Sequence, residues 1–199
     1  ALPEAEGKRP PLHRSSVTAS HYALDSHAVR KREPGRIHLD GFFSHPTAVY
    51  TVPYGVMVPR RVENLLFPTA VSGSHVGFST LRMEPCWMAL GEAAGTAAAL
   101  AADSRRNVRE IPVDSLQERL LRHGAVLVYL RDLRPSDPDY AAVQRLALWG
   151  FFPEWEAGLD RPLDASTARL WSSLAGRGIT ADGTATRREW IRRIAMTNF

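Results

Sequence analysis

Histidine and aspartate side chains are concentrated early in the chain. Imidazole and carboxylate groups are ligands for Zn²⁺ and other divalent cations, and three or four around one ion leave a position for an activated water. No HExxH pattern or Cys/His pair sets the geometry of such a site, so solvated or core histidines are the other interpretation. A metal-assisted hydrolase is therefore an alternative function. The cluster consists of His21, Asp25, His27, His38, Asp40 and His45, of which the first four are the candidate ligands.

A second group of reactive side chains lies at residues 72–79. Ser72, Ser74 and Ser79 are close in sequence to His75, and a serine activated by a histidine is the nucleophile of many hydrolases. The G-x-S-x-G pattern of a nucleophile elbow is absent from the sequence. We interpret residues 72–85 as a glycine-bracketed loop, and Ser–His chemistry in this loop is the other form of the hydrolase alternative.

The most strongly helical stretch runs from about Pro85 to Ala102. Gly91 and Gly95 are four residues apart and so lie on one face, which the neighbouring alanines leave flat enough for a backbone, a sheet or a flat cofactor to approach. The first-turn N–H groups and the helix dipole would face an anion or a polar ring edge. A buried helix packed on a sheet is the alternative. Cys86, in the first turn, is either a thiol with a lowered pKa or a small buried residue.

Shorter elements are expected around this helix. Residues 1–20, with three prolines and no hydrophobic period, predict a flexible lead-in. Runs of β-branched and aromatic residues predict strands, and amphipathic spacing predicts helices; Asp114 is expected to cap one of these helices. The predicted strands are Ile37–Phe43, Ala48–Tyr54, Asn64–Val71 and Ala125–Leu130, and the predicted helices are Val113–His123, Tyr140–Trp149, Ala165–Leu174 and Arg187–Met196.

The run from Val52 to Ala101 contains the pattern VPY, VxNLL, SxxHxxxxxxRxxP and LGxAAGxAAAL at constant spacing. This run resembles the C-terminal part of a bacterial group of FAD-dependent oxidoreductases, in which such a pattern closes the flavin domain. The resemblance implies that the helix N-terminus faces the flavin ring, where its partial positive charge stabilises the reduced, anionic isoalloxazine. The cofactor-binding residues that it implies are Ser79, Thr80, Glu84, Pro85, Cys86 and Gly91.

The same resemblance implies three residues for substrate contact or proton transfer. His75 and Arg82 belong to the pattern itself, and Asp25-Ser-His27 resembles an Asp-x-His element of the same family. A histidine can accept a proton near neutral pH, and an arginine can hold a carboxylate or stabilise developing negative charge. A capped loop histidine and a structural arginine are the alternative interpretations of His75 and Arg82.

The nucleotide-binding motif of such flavoproteins does not occur in these 199 residues. A strand–GxGxxG–helix unit normally holds the ADP half of FAD, whereas the glycine pairs here are both G-x-x-x-G. We therefore expect the C-terminal segment of a larger enzyme, or a chain that works with a separate nucleotide-binding partner, acting on a small-molecule substrate. A non-catalytic binding or structural fragment is a further alternative.

Composition and charge exclude several classes of protein. Hydrophobic residues make up 44% and charged residues 23% of the chain, as in ordinary globular proteins. A net charge of +4 does not indicate a nucleic-acid partner. The apolar stretch Met88–Ala102 contains Glu92 and is too short to span a bilayer. The single cysteine excludes an internal disulfide, so the compartment, bacterial cytoplasm or export, is left open.

The composition changes after residue 135, where a helix, a Gly-Phe-Phe-Pro turn and a Thr-Arg-x-Glu helix start follow one another. This arrangement resembles an S-layer-homology unit, although Asp164-Ala-Ser-Thr departs from its pattern. We expect a packing or docking appendage. The predicted fold is thus a partial α/β flavoprotein-type domain over residues 21–135, after the lead-in, with a small all-α module over 136–199.

Overall fold

This computed structural model describes residues 9–27, 34–35, 42–181 and 183–196. The strands among these residues form two short antiparallel sheets. Strand β1 (Ser16–Ser20) pairs with β4 (Tyr50–Pro53), and β2 (Leu24–His27) pairs with β3 (Phe42–His45). In the first sheet Thr18 lies opposite Val52. The first sheet is part of the core, because the side chains of Ser16 to Thr18 and of Thr51 and Val52 are buried.

Helices form most of the remaining regular structure. A 3₁₀ turn at Tyr54–Met57 follows β4. The α-helices within the described ranges are α1 (His75–Leu81), α2 (Glu84–Ser104), α3 (Val113–Arg122), α4 (Tyr140–Leu148), α5 (Ala165–Ala175) and α6 (Arg187–Ala195). The chain is thus a mixture of helices and small strands, and no helix among the described residues is long and apolar enough to cross a membrane.

Helix α2 packs against β1 and α3 through its small side chains. Its buried residues are Cys86, Leu90, Ala93, Ala94, Ala97 and Ala101, and alanine lets the neighbouring backbone approach closely. Gly91 and Gly95 lie outside this set, and a Cβ atom built at either would meet no other atom within 4 Å. The expected packing of this helix against a sheet is confirmed, but alanines rather than glycines make the contact.

Aromatic side chains fill the core of the C-terminal helices. Trp171 on α5 is fully buried, with its ring centroid 5.9 Å from that of Phe151 and 5.8 Å from that of Phe152. The Trp171 Nε1–H group donates to the Phe151 carbonyl oxygen at 2.8 Å. Ile191 and Ile194 of α6 are also fully buried, so α6 completes this core.

Several predicted elements agree with the structure. The long helix from Pro85, the helix from Val113 and the three C-terminal helices are confirmed within about two residues at each end. Strand β4 lies within the predicted Ala48–Tyr54 strand. Of the predicted strand Ile37–Phe43, residues 37–41 lie outside the described residues, and β3 begins at Phe42.

Other local predictions were wrong because long-range contacts or side-chain caps decided the backbone. The lead-in ends earlier than expected, since Ser16–Ser20 form β1. Residues 72–85 are not a loop: Ser74 caps α1 by accepting a bond from the Gly77 N–H group at 3.0 Å. The helix beginning at Val113 has Pro112 at its N-cap position and no side-chain cap, so Asp114 does not cap it.

Two further segments predicted as strands have irregular backbones. Over residues 64–71 the backbone is held to the 3₁₀ turn, since Phe67 N–H donates to the Met57 carbonyl oxygen at 2.9 Å, and Pro68 has no N–H group to pair. Residues 125–130 lie beside β1 without forming a strand, and a buried side chain, that of Gln144, binds their backbone.

Candidate functional site

The N-terminus of α2 lies next to the end of β1. Helix α1 stops at Leu81, and α2 begins at Glu84 with Met83 at its N-cap position. Met83 provides no side-chain hydrogen bond to the first turn. The first N–H groups of an α-helix have no partner within the helix and carry partial positive charge, so this 21-residue helix presents a positive end to the space beside β1.

A cleft of about 330 Å³ occupies that space. One wall is the end of β1 and the residues after it, Ala19 to Tyr22, and the other is the start of α2. A volume near the lower end of the range for small-molecule sites suits a single ring system rather than a whole dinucleotide. The lining residues are Ala19, Ser20, His21, Tyr22, Met83, Pro85 and Cys86.

The thiol of Cys86 keeps its proton in this cleft. The side chain is buried, and burial raises the pKa of the thiol above its usual value, while a hydrogen bond with Ser20 offsets part of that rise. The lowered thiol pKa considered for a helix N-terminus is therefore wrong, because the effect of burial is larger than that of the Ser20 hydrogen bond. Cys86 provides a small, neutral surface to the cleft.

Tyr50 and Thr80 fix the strand end that forms the first wall. The two hydroxyl oxygens are 2.7 Å apart, and the Thr80 hydroxyl also donates to the Tyr22 carbonyl oxygen. Burial raises the pKa of the Tyr50 phenol, and hydrogen bonds with Ser20 and Thr80 act in the opposite direction. These contacts join β4, α1 and the cleft wall.

An ion pair lies at the α1–α2 junction. The Arg82 Nη2 atom is 3.0 Å from Asp25 Oδ2, and the Tyr22 hydroxyl donates to the same carboxylate oxygen at 3.3 Å. The Asp25 N–H group donates to Ser79 Oγ at 3.0 Å, and Ser79 in turn donates to the Val76 carbonyl oxygen at 2.6 Å. Asp25 is thus brought to Ser79 and Arg82, which lie 54 and 57 positions later in the chain.

The structure places the residues implied for cofactor binding in different surroundings. Only Pro85 and Cys86 line the cleft. Ser79 and Thr80 are buried and use their hydroxyls to hold β2 and the β1 end, whereas Glu84 is exposed and Gly91 is half-buried. The roles assigned to these residues stay predictions.

Two of the three residues implied for substrate contact, His75 and Arg82, do not lie on the cleft lining. Arg82 is about a third exposed and pairs with Asp25, and His75 is the exposed first residue of α1. His27 ends β2, but its side chain lies outside the described residues. Arg82 therefore occupies a position from which an incoming carboxylate could replace Asp25 as its partner.

The hydrolase alternatives stay predictions as well. Over the part of the chain that the structure describes, no three potential metal ligands lie together; His21 lines the cleft, Asp25 binds Arg82, and His38 falls outside the described residues. In the Ser–His segment, the hydroxyl groups of Ser74 and Ser79 both form hydrogen bonds with the α1 backbone.

Sequence reasoning missed the contribution of β1 and of Tyr50. The pairing of β1 with β4 joins residues at least 30 positions apart, and the five residues of β1 carry no distinctive pattern. The buried Val17 between polar residues was the available signal, although so short an alternation occurs in many loops.

Comparison with known proteins identifies the family of the chain. The family model described as FAD dependent oxidoreductase matches residues 7–120, a range that contains both cleft walls and the whole of α2. No curated protein and no solved structure matches the chain. Because the matched range covers more than half of the chain, the chain belongs to the FAD-dependent oxidoreductase family.

Proposed function

We propose that this chain forms the flavin-ring and substrate side of an FAD-dependent oxidoreductase, with the isoalloxazine held in the cleft between the β1 end and α2. The observation that supports this proposal best is the position of the cleft at the uncapped N-terminus of α2, inside the family-matched range. When bound there, the flavin would supply the redox chemistry that a protein side chain lacks.

The residues of the cleft suit a flat, partly polar ring. Ala19, Met83 and Pro85 give apolar surface on both walls, which would exclude water from the ring faces. The first-turn N–H groups of α2 would stabilise negative charge on a ring edge. Cys86 keeps its proton on Sγ because burial raises its pKa, so no thiolate competes for that positive end.

Arg82 would orient the substrate. Its guanidinium is held at the α1–α2 junction by Asp25 at 3.0 Å, and the Tyr22 hydroxyl, which binds the same carboxylate, belongs to a residue of the cleft wall. A substrate with a carboxylate or a developing negative charge would meet Arg82 beside the cleft. The substrate class that fits this arrangement is therefore a small anionic molecule.

A titration of the folded chain with lumiflavin, and separately with FAD, tests this proposal. Lumiflavin carries only the ring, so its binding does not need a nucleotide site. We expect saturable quenching of flavin fluorescence. Ala19→Phe, which fills the cleft, should weaken binding at least tenfold, or by about 1.4 kcal/mol.

Ala98→Phe is the matched control, because Ala98 lies on the exposed face of the same helix α2. The control should bind flavin as the parent chain does. Equal binding by the Ala19→Phe and Ala98→Phe chains, or no saturable quenching by either flavin, would show that the cleft is not a ring site.

A further inference from the structure

One wall of the cleft depends on a strand with little support of its own. Strand β1 pairs with the four-residue β4 on one side. On its other side the Ala19 N–H group donates to the Val126 carbonyl oxygen at 3.0 Å, and Ser16 Oγ donates to the Leu127 carbonyl oxygen at 2.9 Å. The residues that line the cleft begin at Ala19, so Val126 supports the strand where it enters the wall, and Leu127 supports the start of the strand.

The buried Gln144 side chain of α4 binds the backbone of this supporting segment. Gln144 is 1% exposed, and its Oε1 atom accepts bonds from the N–H groups of Leu127 at 2.9 Å and Val128 at 2.8 Å. Its Nε2 group donates to the Val128 carbonyl oxygen at 2.8 Å. The Gln144 amide thus makes the hydrogen bonds that a neighbouring strand would otherwise make. These buried backbone groups therefore have hydrogen-bond partners.

Further contacts tie the start of β1 to the same region. The Arg14 guanidinium lies 3.8 Å from the centre of the Trp149 ring, directly after α4. Gln117 of α3, itself buried, donates from Nε2 to the carbonyl oxygens of Arg14 at 2.7 Å and Ser16 at 2.9 Å. Both ends of β1 are therefore connected to helices outside the sheet.

We propose that Gln144 is a positioning residue for the cleft: through residues 126–128 it sets where the end of β1 lies relative to the N-terminus of α2. The helical segment after residue 135 is then a structural part of the site rather than an appendage. Buried side-chain amides suit this role because each of their hydrogen bonds is directional. A backbone group that moves away from the amide loses its hydrogen bond and has no water to replace it, which costs free energy. The consequence for flavin rests on the proposed function; the positioning of β1 does not.

Hydrogen exchange in the full chain without added flavin tests the positioning. Gln144→Met keeps the side-chain length but removes all three bonds. The Ala19 amide should then exchange at least tenfold faster relative to the slowest amides of α5. Val143→Ala is the matched control, because Val143 is a fully buried neighbour on the same helix and its loss leaves the Gln144 amide in place. A parallel change in both variants would overturn the proposal.

A milder variant covers the case in which Gln144→Met does not fold. Ser16→Ala removes the bonds of Ser16 Oγ to the Leu127 and Thr18 carbonyl oxygens and leaves Gln144 intact. It should raise exchange at Ala19 with the α5 amides unchanged; unaltered exchange at Ala19 would overturn the proposal. Lumiflavin binding is measured alongside. If the parent chain does not bind lumiflavin but Ala19 responds as expected, the proposed function fails while the positioning role stands.

Discussion

Replacing Arg188 by methionine should destabilise the chain by about 2 kcal/mol at neutral pH, a value set between the limits for exposed and buried ion pairs. Arg188, on α6, binds carboxylates in the connection that leads to α4: its Nη1 atom is 2.9 Å from Asp137 Oδ1 and 2.7 Å from Asp139 Oδ2. Methionine retains an apolar stem of similar reach. The substitution therefore removes the charge and its hydrogen bonds with little loss of packing.

The magnitude follows from the exposure of the groups. An exposed ion pair is worth about 0–1 kcal/mol, whereas removing one partner of a buried pair costs about 3–5 kcal/mol. The side chains of Arg188, Asp137 and Asp139 are 20%, 19% and 10% exposed, closer to the buried limit. Arg192 also binds Asp139, at 2.8 Å, so one carboxylate keeps a partner. A loss of about 2 kcal/mol lowers Tm by about 4–8 °C in a chain of this length.

The destabilisation should also depend on pH. The pKa of Asp137 is lowered mainly by its hydrogen bond with Arg188, and the pKa of Asp139 mainly by that with Arg192 and then by that with Arg188. A lowered carboxyl pKa stabilises the folded state above the unfolded value of about 3.9, and the contribution is lost as the pH falls through the folded pKa. The difference between parent and variant should therefore be full at pH 7 and shrink below about pH 4.

Thermal unfolding by circular dichroism, at pH 7 and at stepped lower pH, measures both effects. Arg169→Met is the matched control, since it makes the same change at an exposed position of α5. A surface charge of this kind should change stability by less than about 0.5 kcal/mol. Equal Tm values for the Arg188 and Arg169 variants, or a difference that does not fall with pH, would refute the reasoning.

Two further predictions concern buried groups. Trp171→Phe should cost about 2–3 kcal/mol, because it leaves a small cavity and removes the Trp171 Nε1–H bond to the Phe151 carbonyl oxygen. Urea unfolding measures the loss, and a change within 0.5 kcal/mol, the usual surface range, would contradict the assigned contact. Cys86 should react with iodoacetamide at pH 8 at least tenfold more slowly in the folded than in the urea-unfolded chain, since burial raises its thiol pKa. Equal rates in the two states, followed by mass spectrometry, would show that the thiol is open to solvent.

Local sequence signals predicted the long helix α2 and the helices after it, although they missed α1. The helix that begins near Pro85 combines strong helix formers with a tolerated first-turn proline, and α6 carries the Thr186–Glu189 capping box at its start. Each of these signals involves residues within one or two turns of one another. The family resemblance over residues 52–101 depends on the same local spacing, and the match over residues 7–120 confirms it at the family level.

The site was only partly predictable because its parts come from distant positions. Pro85 and Cys86 were predicted for it, but the opposite wall, from Ala19 to Tyr22, was placed in or just after a flexible lead-in. The Arg82–Asp25 pair spans 57 positions, and no local pattern specifies such a pairing. Segment 125–130 has the composition of a strand, yet the Gln144 amide satisfies its backbone instead.

The sequence by itself determined the family, the positions of the long helices and the positive helix end, because propensity, capping and motif spacing act between near neighbours. Only the tertiary structure decided that β1 closes the cleft, that Cys86 is a protonated thiol and that Arg82 is held by Asp25. Strand pairing, desolvation and ion pairing depend on which residues, distant in sequence, become neighbours in the fold. The burial of those neighbours then sets the strength of each interaction.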